Sequence, residues 1–245
     1  MNVPDIAVVS LVPSITETLM AWGIRPAAVT RFCEAPGIQT VGGTKNPDVE
    51  TIIGMGPDLV VMDAEENRVE DADVLRAANI RVHATRVRSF QEVEPTLARL
   101  WEAVGGRGRN PSFSNPGVKE GAGAGPVPER LGGPSVWIPI WRRPWMSIGG
   151  STYGSSLLSA AGVRNVLGDS DDPYPTVGIE QAAASAPDFV LAPSEPYPFS
   201  ERHRAELEEV APVVFVDGRD LFWWGDRTRA ALYRLTELAG RLAPR

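Results

Sequence analysis

The strongest chemical signal in the chain is PIWRRPWMSIGGSTYGSS (139–156), where two arginines lie between two tryptophans. Trp141 and Trp145 offer flat apolar faces. Arg142 and Arg143 offer planar forks that match carboxylate, phosphate or amide oxygens. An arginine over an aromatic ring gains cation–π energy, and two adjacent arginines cannot both be buried without costly unpaired charge. This favours a surface loop that grips a large planar or macrocyclic ligand; the alternative is a surface salt bridge to nearby acids. GGSTYGSS, which holds Tyr153, then opens a helix with small residues whose N–H groups can hold an anion or a carbonyl. A second aromatic run, Phe222, Trp223 and Trp224, occupies a predicted turn in GRDLFWWGDRT, and its alternative role is to plug the bottom of a sheet. Five of the seven tryptophans lie beyond residue 136, so the second half should present most of the ligand-facing surface.

Other chemistries are poorly served. His83 and His203 are the only histidines, one in a predicted strand and one on a predicted solvated helix face. No H-x-x-x-H, C-x-x-C, Walker, G-x-G-x-x-G or G-x-S-x-G pattern occurs, so neither a metal site nor a catalytic residue is expected. A net charge of −7 argues against nucleic-acid binding. One cysteine, Cys33, permits no internal disulfide. No apolar run approaches the roughly 20 residues of a membrane span. The start, MNVPDIAVVSLVPS, lacks a basic region, an apolar core and a cleavage site, so as written a cytoplasmic chain is expected, or one whose export signal has been removed.

The elements that must position these residues alternate. AVVSLV reads as a strand and SITETLMAWG as a helix with Ser14 as N-cap. PDVETIIGMG, VEDADVLRAANI and SFQEVEPTLARLWEAVG read as helices around the strands DLVVMD and RVHATRV. The second half repeats this: VWIPIW, DFVLAPS and PVVFVDG as strands, with GSTYGSSLLSAAG, GIEQAAASA, SERHRAELEEVA and RTRAALYRLTELAGRLA as helices. Such alternation implies parallel sheets, hence two Rossmann-like α/β lobes over 1–104 and 136–245. The glycine- and proline-rich 105–135 is expected to be a linker outside both cores.

The halves also match each other. GPDLVVMDAE (56–65) aligns with APDFVLAPSE (186–195), which puts Glu65 and Glu195 at one offset from Pro-Asp. Duplication is the preferred explanation. Open parallel sheets hold ligands beyond the carboxyl ends of their strands. The candidate loops are therefore Pro13–Thr16, Glu65–Arg68, Trp141–Trp145, Glu195–Phe199 and Arg219–Trp224.

SLVPSITETLMAWG and TVGGTKNPDVETIIGMGPDLVV resemble the first lobe of class III periplasmic substrate-binding proteins, the helical-backbone metal receptors. LSAAGVRNVLGD, IEQAAASAPDFVLAPSE and the closing helix resemble the second lobe, so that roughly 6–104 and 136–243 are covered. The resemblance implies two α/β lobes bridged by a rigid helix, with the ligand in the cleft between them. SFQEVEPTLARLWEAVG starts that helix, and the glycine–proline segment interrupts it. The ligand implied is a cobalamin-like corrinoid or an iron–siderophore, carried without any covalent cofactor. Ser14, Thr16, Arg31 and Lys45 would face it from the first lobe. Trp141, Arg142, Arg143, Trp145, Tyr153, Phe222, Trp223 and Trp224 would form the opposite wall. The family works as a monomer beside a membrane ABC permease, and Glu65 and Glu195 match its permease-docking glutamates, a pocket role being the competing one. The other function to weigh is a cytoplasmic chelatase-like enzyme, acting on a tetrapyrrole or nucleotide with the same scaffold.

Overall fold

The computed structural model describes residues 6–113 and 133–242. It divides into two units. The first takes the described residues up to Val87, those from Gln91 to 113, and Trp224–Asp226. The second takes Arg88–Phe90, the residues from 133 to Trp223, and those from Arg227 to 242.

Short β-branched runs build the first sheet from β1 (Val8–Ser10), β2 (Ala28–Val29), β3 (Gln39–Thr40), β4 (Leu59–Asp63) and β5 (Val82–Thr85). All pairings are parallel, in the order β3-β2-β1-β4-β5. Every residue of β4 is buried, as expected of a central parallel strand with helices on both faces. Those helices are α1 (Pro13–Ala21), α2 (Val49–Met55), α3 (Val69–Ala77) and α4 (Val93–Ala103). Helix α1 begins two residues earlier than the predicted Ser14 cap requires. Val12 is its N-cap and Pro13, lacking an N–H, opens it, so Ser14 lies inside the first turn. Asp48 caps α2 by accepting the Thr51 N–H at 3.0 Å, and Gly56 ends it in the left-handed region at φ 57°.

Helix α4 ends at Ala103, and the chain folds back on its own unit. Gly106 comes so close to Trp101 that a Cβ would lie 2.2 Å from the indole. Trp101 packs edge-on against Trp22 at 5.3 Å, and the Trp22 indole N–H donates to Ser112 Oγ at 2.7 Å. Asn110 is buried there too. Residues 105–112, predicted as linker, thus pack on the first unit. The remainder of that segment, 114–132, lies outside the described residues, as does any continuation of a bridging helix through it.

The second unit's main sheet is β11-β10-β6-β9, again parallel throughout, with β6 (Ser135–Trp137), β9 (Arg164–Asn165), β10 (Phe189–Pro193) and β11 (Val213–Val216). The predicted single strand VWIPIW is broken after Trp137. Pro139 has no N–H for a central ladder, and β7 (Pro139–Trp141) instead pairs antiparallel with β8 (Met146–Ser147). The WRRPW motif is the connection of this small hairpin. Helices α5 (Tyr153–Ala160), α6 (Ile179–Ala184), α7 (Arg204–Leu207), α8 (Gly218–Phe222) and α9 (Thr228–Leu242) complete the unit. Two differ from expectation. The helix predicted over SERHRAELEEVA shrinks to a tight turn plus the four residues of α7, and the loop predicted over GRDLFWW contains α8.

The two sheets share a plan. Read as β2-β1-β4-β5 and β9-β6-β10-β11, they have the same connection order, and Glu65 and Glu195 each follow the equivalent strand, β4 or β10, by two residues. The fold class is the α/β arrangement with parallel sheets that the alternating pattern predicts.

Candidate functional site on the carboxyl-edge loops

In the first unit, a hydrogen-bonded bracket fixes the loops beyond the strands. Asn67, buried at 7%, accepts the Asp63 N–H at 2.8 Å through Oδ1 and donates from Nδ2 to the carbonyls of Thr44 at 2.8 Å and Leu11 at 3.3 Å. One amide therefore ties together the loops after β1, β3 and β4. Asp63 beside it accepts from the Glu65 N–H and the Thr85 hydroxyl at 2.9 and 2.8 Å. Burial pushes its carboxyl above the usual aspartate range; these hydrogen bonds oppose the rise and the neighbouring Glu65 charge adds to it. Sequence reading placed Asn67 in a candidate loop without assigning it this work.

Thr16 is 1% exposed, and its hydroxyl donates to the Val12 carbonyl at 2.9 Å and contacts Ser10 Oγ and Cys33 Sγ. Ser14 is buried as well. Neither presents a side chain at the surface, which corrects their predicted ligand-facing role. Arg31 and Lys45 are exposed. The Arg31 guanidinium lies 5.0 Å from the Phe32 ring centroid, and both rest over Gly43, where a Cβ would approach each at 3.3 Å. Lys45 donates to the Glu65 carbonyl. Phe32, 56% exposed, is the residue sequence reading missed; the signal available was an aromatic after an arginine directly beyond a strand.

In the second unit the carboxyl edge is aromatic. Trp145 stacks on Phe199 at 5.9 Å with the planes 5° apart, and tilts against the fully buried Trp137 at 5.8 Å. Tyr197 packs on Phe199 at 4.7 Å and carries Trp141 edge-on at 5.7 Å. Trp141 ends this stack, 45% exposed. Arg142 donates from both Nε and Nη2 to Glu206 Oε2 at 2.9 Å and lies 6.0 Å from the Trp145 ring. The acid it pairs with makes it the surface salt bridge of the alternative reading. Arg143 is exposed, in the left-handed region at φ 69°, with no ion pair to a described residue.

Tyr153 is buried and shares a hydrogen bond with Thr228 at 3.1 Å; desolvation pushes its phenol well above the ordinary range. Trp224 is buried, and the next residue, Gly225, abuts Thr18, whose hydroxyl accepts the Asp226 N–H at 3.1 Å. The fold itself therefore engages Thr16, Arg142, Trp145, Tyr153 and Trp224, and leaves Arg31, Phe32, Lys45, Trp141 and Arg143 exposed. Phe222 is half-buried.

Two guanidiniums lie over the Trp223 ring, Arg219 at 5.5 Å and Arg227 at 5.4 Å from its centroid. Its indole N–H hydrogen-bonds Glu195, whose carboxyl burial raises; Trp223, Arg219 and Arg227 oppose that rise and Asp217 adds to it. Gly218 is required here, because a Cβ would fall 2.5 Å from the Glu195 backbone. No group of three or more metal-ligating side chains occurs among the described residues.

No family model matches the chain. Among curated proteins it is 26% identical over 193 residues to the vitamin B12-binding protein of Salmonella choleraesuis (strain SC-B67), covering 75% of this chain and 71% of that protein. It is 21% identical over 225 residues to the vitamin B12-binding protein of Vibrio cholerae (strain M66-2), covering 86% and 78%. Its fold matches the periplasmic vitamin B12 binding protein BtuF of Vibrio cholerae, with a TM-score of 0.74 at 18% identity over 98% of both chains. It also matches the periplasmic haem-binding protein HutB of Vibrio cholerae, with a TM-score of 0.76 at 18% identity over 95% and 98%. These relatives are binding proteins, not enzymes, and they overturn the cytoplasmic reading of the N-terminus: the matched structures are of periplasmic proteins.

Proposed function

We propose that this chain, a relative of the class III periplasmic substrate-binding proteins, is the periplasmic ligand-capturing component of an ABC importer. Its ligand would be a large, flat metal chelate of the corrinoid, haem or ferric-siderophore class. The observation that supports this best is Trp141, a large ring 45% exposed, backed by a packed aromatic stack and next to the exposed Arg143. Phe32 with Arg31 is a second pairing of the same kind. Flat faces suit the macrocycle and the cations suit its carboxylate or amide oxygens.

On this reading Glu65, exposed on its loop, suits the permease-docking role. Glu195, held by the Trp223 indole, suits the anchoring of its own loop. Calorimetric titration with cyanocobalamin, cobinamide, haemin and a ferric siderophore tests the reading. One-to-one binding of one chelate, weakened at least about tenfold by Trp141→Ala, is the expected result. Binding untouched by that change would sink the site, and no binding of any probe would sink the function.

A further inference from the structure

We infer that His203 is a positioning residue for Trp141, acting through Tyr197. This goes beyond the proposed ligand class but rests on the same exposed indole. His203 is the residue that sequence reading put on a solvated helix face, yet it is only 5% exposed. Its ring contacts Tyr197 at 5.4 Å and Phe199 at 5.5 Å, both edge-on. Tyr197 in turn meets Trp141 edge-on at 5.7 Å, so one ring lies between the histidine and the exposed indole.

Both ring nitrogens face donors: Nδ1 lies 3.2 Å from the Ser200 nitrogen and Nε2 lies 3.2 Å from the Arg202 Nε, with Tyr197 Oη 3.4 Å from Nε2. A neutral ring has one bare nitrogen, so either tautomer accepts from one of the two donors, and the protonated ring accepts from neither.

The charged groups facing the ring come from three places. Arg202 adjoins it in sequence, Arg142 reaches it from the end of β7, and Glu206 does so from α7. Glu206 is already paired with Arg142, and Arg202 has no ion pair to a described residue. Burial first, and then the two arginines, hold the imidazole below its ordinary value of 6.5. At neutral pH the ring is uncharged and the stack is intact. Protonation would set a ring N–H against both the Ser200 N–H and the Arg202 Nε–H, and a cation beside Arg202. The ring then loses its hold on Ser200, and its edge-on contact with Tyr197, which Arg142 and Phe199 also hold, is disturbed.

The test is the indole N–H resonance of Trp141 in ligand-free, 15N-labelled protein, identified by its loss in Trp141→Phe and followed as pH falls. The resonance should move with the midpoint of the His203 ring protons, below 6.5, and should stay still in His203→Gln. Gln keeps a donor toward Tyr197 but cannot take up the proton. Should that variant fail to fold, His203→Asn, which keeps an acceptor for Ser200, serves instead. An indole resonance that ignores acidification, or moves equally in the variant, overturns the inference. Binding of the chelate identified by titration should weaken about tenfold in acid in the wild type and less in the variant. If Trp141→Ala leaves chelate binding unchanged, the ligand reading fails, while the indole titration still decides the role of His203.

Discussion

The two units share a strand plan and use its carboxyl edge differently. The first closes its loops with a polar bracket, Asn67 joining three loops and Asp63 joining two strands through Thr85. The second closes its loops with stacked rings, from the buried Trp137 out to the exposed Trp141. A hydrogen-bonded bracket holds backbone in place but offers a ligand little surface. A ring stack holds its loop and, at the end ring, offers a ready-made apolar face. The same topology therefore supports one edge closed by hydrogen bonds, with the Arg31–Phe32 pair at its surface, and one closed by stacked rings that end in an exposed indole.

If the aromatic edge is structural up to its last ring, Trp145→Ala should cost the most, about 3 kcal/mol of unfolding free energy, read by urea denaturation. Asn67→Ala should come next, at about 2 kcal/mol, because it orphans a buried N–H and withdraws the donor from two carbonyls. A loss under about 0.5 kcal/mol there would break the comparison by showing that the bracket is ornamental.

Acid sharpens the contrast further. Asp63 has its carboxyl raised in the folded state, so the folded chain binds its proton more readily than the unfolded chain. Its contribution to stability is therefore fully present below the unfolded-state value and is lost as pH rises through the higher folded-state value. Asp63→Asn should flatten that slope in denaturation series across pH, and an unchanged slope would contradict it. The smallest expected effect on stability is that of Trp141→Ala, within about 0.5 kcal/mol, although the proposed function requires it to weaken chelate binding. A loss as large as that of Trp145→Ala would make Trp141 part of the core and remove the platform.

Legibility followed the range of the forces involved. The parallel α/β plan was readable because buried strands such as LVVMD need continuous apolar residues, and helix ends such as Asp48 and Gly56 carry their own local signals. Glu65 and Glu195 were readable as equivalents because the Pro-Asp offset survives in both halves. Side-chain assignment was less legible. Nothing local separates Trp141 from Trp145, four residues apart, yet one is exposed and the other stacks on Phe199. Nothing near Arg142 announces Glu206, 64 residues on.

The sequence by itself determined the alternating strands and helices, the repeat, and the cluster of aromatic and basic residues at strand ends, since these depend on periodicity, turn chemistry and composition. Only the tertiary structure decided which of those residues face water. It broke VWIPIW at Pro139 and turned WRRPW into a hairpin connection. It drew His203 beneath Tyr197 and placed Phe32 in the open. Those outcomes depend on partners far away in the chain, and burial belongs to the packed chain rather than to any short stretch of it.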